Sequence, residues 1–119
     1  MAEERVHLLD AQEQASELLS TIDEATASGN MDEMRQHVQE ALNVGQIMQD
    51  RLEEALSVTE DLDMADQVEE SMHHLNMAMD RGEQALDATD EEAEECVLEM
   101  RKHGQQSNLY LRQVLGIGV

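Results

Sequence analysis

Residues 65–86 read ADQVEESMHHLNMAMDRGEQAL. Ala65, Val68, Met72, Leu75, Met79, Gly82 and Leu86 recur there at alternating steps of three and four. That is the period of one face of an α-helix, and nothing in the stretch alternates apolar with polar as a half-buried strand does. The segments before it repeat the pattern. One stripe runs through Leu8, Ala11, Ala15, Leu18, Ile22 and Ala25; a second runs through Met31, Met34, Val38, Ala41, Gly45, Met48, Leu52 and Ala55. A fourth segment fits two registers, Cys96–Met100–His103–Ser107–Tyr110–Val114 or Val97–Met100–Gly104–Ser107–Leu111–Val114.

The breaks between stripes are evenly spaced. Ser28-Gly29-Asn30 ends the first helix, Thr59 to Asp61 the second and Asp87 to Asp90 the third. Asn30 with Glu33, and Thr89 with Glu92, have the spacing of a capping box. The expectation is an all-α fold with helices over about 3–27, 31–58, 62–87 and 90–115 in one domain. Short turns near 29, 60 and 89 favour an antiparallel up-down-up-down four-helix bundle, with helices about 38 Å long. Residues 50–59 (DRLEEALSVT) and 80–89 (DRGEQALDAT) share six identities at an offset of thirty. Duplication and convergence both account for that. Small residues on the stripes (Ala15, Ala25, Ala41, Gly45 and Gly82) let helix backbones approach closely but bury little area each, which favours a homodimer.

Composition narrows the function. The 119 residues include 28 Asp plus Glu against 7 Lys plus Arg, a formal charge of −21, with nine Met, one Tyr and no Trp, Phe or Pro. Such a surface repels nucleic-acid phosphates and anionic membranes. It suits a basic protein partner, abundant cations or a salt-rich cytoplasm such as a halophilic or marine source has. Aromatic-lined cofactor pockets are nearly excluded. Cys96 is the single cysteine, so no internal disulfide forms. The chain opens MAEERV with no apolar signal region, and no run reaches membrane-spanning length, so a cytoplasmic location is expected.

Five histidines carry what chemistry there is. Glu70-x-x-His73 has the spacing that carboxylate-bridged metal bundles use, and His73 and His103 fall at similar heights in the expected bundle. Glu70, His73, Glu99 and His103 are therefore weak candidates for a surface metal site. A full dinuclear centre is disfavoured because no carboxylate follows Glu99 on the fourth helix. A simpler reading covers all five. Each His has a Glu four residues before it: Glu3–His7, Glu33–His37, Glu69–His73, Glu70–His74 and Glu99–His103. Such surface pairs raise histidine pKa values and predict greater stability at pH 6 than at pH 8 in low salt.

There is no phosphate-binding glycine loop, zinc-type cysteine spacing or nucleophile elbow. Cys96 lies among Glu92, Glu94, Glu95 and Glu99, which disfavours a thiolate. No enzymatic activity and no cofactor are expected. The last nineteen residues carry Arg101, Lys102 and Arg112 with no acid, and end in NLYLRQVLGIGV. They serve either as buried bundle or as a docking surface through Leu109, Tyr110, Leu111, Val114, Leu115 and Ile117. In size, acidity and helical content the chain resembles small secretion and flagellar export chaperones, a likeness of composition alone. The leading expectation is an acidic interaction protein, adaptor or chaperone-like, for a basic or amphipathic-helical protein partner. The alternative is a metal-binding bundle using His and Glu ligands.

Overall fold

The structure, a computed structural model, describes residues 3–116. It has four helices: α1 (Glu3–Thr26), α2 (Met31–Val58), α3 (Leu62–Asp87) and α4 (Asp90–Leu115). The joints are built by local chemistry. Asn30 caps α2 by accepting the Glu33 amide at 2.9 Å, and Asp61 caps α3 by accepting the amides of Asp63 and Met64. Thr89 precedes α4, but its side chain makes no capping bond, so the second expected capping box does not form. At the far end Gly116 takes a left-handed conformation (φ 70°) and its amide closes on the carbonyls of Arg112 and Gln113. Only glycine adopts that conformation without strain.

Cross-helix contacts fix the topology. Along α1 and α2, His7 meets Glu54 and Glu24 meets His37. From α2 to α3, Gly45 lies under Met79 and Leu42 against Gly82. Between α3 and α4, Ser71 meets Ser107 and Arg81 meets Glu99. Between α1 and α4, Gln12 bonds Asn108 and Asp23 pairs with Arg101. In every pair one number rises as the other falls, so all four neighbouring contacts are antiparallel. The result is an up-down-up-down bundle of 47 × 23 × 18 Å. The hairpins α1–α2 and α3–α4 make the most extensive contacts. They clasp each other through glycines on their second helices. Gly45 of α2 receives Met79 and Leu75 of α3, while Gly104 of α4 receives Leu19, Ile22 and Leu18 of α1.

The core contains Leu8, Leu18, Ile22, Met48, Leu52, Leu75, Met100 and Leu111, all essentially without exposure. The expected stripes of α1 and α2 are the buried ones, except that Met31 at the start of α2 is half-buried. α4 uses the register of Val97, Met100, Gly104, Ser107 and Leu111. α3 is rotated from expectation. Ser71, Ala78 and Ala85 are fully buried, while Met72, Met79 and Leu86 sit half-buried beside them against the core. Small residues toward α4 allow close approach, and the longer methionines fill the flanks. No described helix is long and apolar enough to cross a membrane.

Candidate functional site

The histidines divide between the two hairpins. On α3 and α4, His74 lies nearly parallel to Tyr110 (13°, ring centroids 5.5 Å apart) and to His103 (22°, 6.0 Å). His73 meets His74 edge-on at 5.6 Å. The four weak metal candidates do not assemble. Glu99 is held by Arg81 at 2.6 Å, and Glu70, His73, Glu99 and His103 bring no set of ligand atoms together. Arginine neutralises the carboxylate that a metal would have needed. Among the described residues, one group of three or more His, Cys, Asp or Glu side chains converges within ligand distances, and it is Glu24, His37 and Glu40.

The five Glu–His pairs at four-residue spacing also give way. His7 takes Glu54 of α2 at 3.1 Å, and His37 lies 3.3 Å from Glu24 of α1 and 3.7 Å from Glu40. Both histidines are half-buried at the hairpin seam, where a carboxylate from the neighbouring helix reaches them and the expected partners Glu3 and Glu33 do not. The expected rise in histidine pKa is reversed at His103. Burial pushes its pKa below the ordinary value, and His74, Arg81 and Lys102 add to that against the opposing field of Glu99. Its Nδ1 and that of His74 are shut off from solvent without a hydrogen-bond partner.

The C-terminal segment is largely structural. Leu111 and Leu115 are buried, Val114 is half-buried against the core, and Tyr110 is half-buried on His74. Leu109 is 39% exposed, and Ile117 lies outside the described residues. Of the five described residues in that set, Leu109 alone is exposed. Cys96 is a half-buried thiol whose pKa is raised by burial; Arg81 pulls it down, and Glu99, Glu92 and Glu95 push it further up. It is a protonated packing group at neutral pH.

A cleft open to solvent lies at the other end of α4. The α1–α2 turn and the first turns of α4 enclose an open cleft of about 570 Å³. Met31, Met34, Val97 and Leu98 supply apolar walls, with Asp90 and Glu94 beside them. Asn30 capping and the Ser28 hydroxyl bond to the Glu24 carbonyl hold the turn in place. Leu98 is 57% exposed although it is large and apolar. No single stretch of sequence shows this site, because its walls come from two segments, 25–34 and 90–98, far apart in the chain. Leu98, an apolar residue off the α4 stripe, was the one local signal. Comparisons with protein-family models, with curated proteins and with solved structures find no match for this chain.

Proposed function

We propose that this chain is a non-enzymatic interaction protein that binds a basic amphipathic helix of a protein partner, with the partner's apolar face in the cleft between the α1–α2 turn and α4. The observation that carries the reading is the cleft itself, methionine and leucine walls with two carboxylates alongside on a chain of charge −21. Methionine adapts to irregular apolar surfaces, and helix-in-groove recognition pairs such a surface with spaced apolar anchors. The acidic field steers a cationic partner and sets its orientation. The expected surface at Leu109 and Tyr110 becomes peripheral to this reading, since most of its neighbours serve the core.

The test uses a labelled synthetic helix with Leu on one face and Lys on the other, titrated against the full chain by fluorescence anisotropy. Leu98→Ser is expected to weaken binding about tenfold, which corresponds to ~1.4 kcal/mol and to the scale of burying one leucine side chain. Leu62→Ser is the control, because Leu62 is 81% exposed and does not line the cleft. Equal binding by Leu98→Ser, or by a scrambled peptide of the same charge, contradicts the reading.

A further inference from the structure

The α1–α2 hairpin gathers three ligand-type atoms at one point. Glu24 stands on the last turns of α1, and His37 and Glu40 stand one turn apart near the start of α2. His37 Nδ1 is 3.3 Å from Glu24 Oε2 and 3.7 Å from Glu40 Oε2, and the three ligand atoms all lie within 4.8 Å of one another. The nitrogen is shut off from solvent, yet meets hydrogen-bond geometry with neither carboxylate. Among the described residues, neither Glu24 nor Glu40 pairs with an arginine or lysine. Two carboxylates therefore share one imidazole.

These distances have a chemical reading. Zinc holds nitrogen and carboxylate oxygen at ~2.0–2.2 Å, so neighbouring ligands of a tetrahedral zinc are about 3.4 Å apart. The two measured separations bracket that value. An imidazole with two carboxylates suits borderline divalent transition ions, whereas calcium and magnesium prefer oxygen-only shells of six or more ligands. We propose that His37 Nδ1, Glu24 and Glu40 form a binding site for a divalent transition ion of the zinc type, with water completing its coordination. The ion ties the end of α1 to the start of α2 and offsets two negative charges of a strongly acidic chain.

The probe is Zn²⁺ itself, titrated by calorimetry into chelator-stripped full-length protein at about 0.15 M salt, where exposed charges are well screened. A millimolar excess of Mg²⁺ competes for general acidic sites. One saturable equivalent is expected, with a rise in melting temperature on loading, since a ligand that binds only the folded state stabilises it. His37→Ala abolishes both effects, Glu24→Gln and Glu40→Gln each weaken uptake about tenfold or more, and His74→Ala leaves it unchanged. The glutamine variants keep side-chain shape, so they decide the matter even where the alanine variant folds poorly. Uptake that never saturates, or a one-to-one uptake that survives the loss of His37 or of both carboxylates, overturns the site.

Discussion

Ser71 of α3 and Ser107 of α4 bond each other's backbone reciprocally: each Oγ donates to the other's carbonyl oxygen at 2.8 Å, with the two Oγ atoms 2.9 Å apart. Both residues are fully buried. Two hydroxyls carry two protons, so both carbonyl bonds form together and the Oγ–Oγ contact is then only a close approach rather than a third bond. They require the helices to pass close together, which only small side chains allow. Ser107→Ala is expected to cost about 1 kcal/mol, the net worth of a buried hydrogen bond. Ser107→Val forces added volume into the crossing and is expected to cost about 1–3 kcal/mol. Urea denaturation measures both; a valine variant as stable as wild type would show that the crossing is not tight.

The two α3–α4 glycines should respond in opposite directions to alanine. A Cβ at Gly104 meets one atom closely, Leu19 Cδ2 at 3.2 Å, and Leu19 is half-buried with room to turn. The helix-propensity gain of about 1 kcal/mol then dominates. At Gly82 a Cβ falls 2.9 Å from both Leu42 Cδ2 and Met100 Cε, side chains pinned in the core from two sides. Overpacking of about 1–3 kcal/mol outweighs the same gain there. Thermal melts are expected to rank Gly104→Ala above wild type and Gly82→Ala below it. Gly82→Ala melting as high as Gly104→Ala would contradict the packing described.

His103 gives a pH signature. An unfolded imidazole titrates near ~6.5, and burial lowers the folded value. Between the two values the unfolded chain holds more protons, so stability rises with pH across that window. The neutral ring's contribution is complete above ~6.5 and is lost as pH falls through the folded value. This opposes the greater stability at pH 6 than at pH 8 expected from the five same-helix Glu–His pairs, which do not form. Melting temperatures of wild type and His103→Gln, compared at pH 7 and pH 5, should show the wild type losing ground on acidification. A wild type that instead gains on the variant at pH 5 refutes the assignment.

Much of the fold was legible because each helix carries its own period and each joint its own chemistry. Asn30 and Asp61 cap where the sequence places turns, and the α1 stripe from Leu8 to Ala25 is wholly buried. The rotation of α3 was not legible. Ser71 looks polar in isolation, and only its partner 36 residues away makes it a core residue. The histidine sites failed for a similar reason. Spacing along one helix identified same-helix glutamates, whereas Glu54 and Glu24 reach His7 and His37 from the facing helix. The C-terminal leucines were ambiguous because an apolar helix end serves a core or a partner equally well until its register is known.

Methionine methyl resonances test the proposed function most directly, because Met31 and Met34 line the cleft and Met77 lies on a different surface of α3, beside Asp80 and Arg81. The full chain, ¹³C-labelled at its methionine methyls, is titrated with the Leu/Lys amphipathic helix at about 0.15 M salt. The Met31 and Met34 methyls are expected to shift together and saturate while Met77 stays in place. Binding that moves Met77 and leaves Met31 and Met34 unchanged would contradict the proposed function.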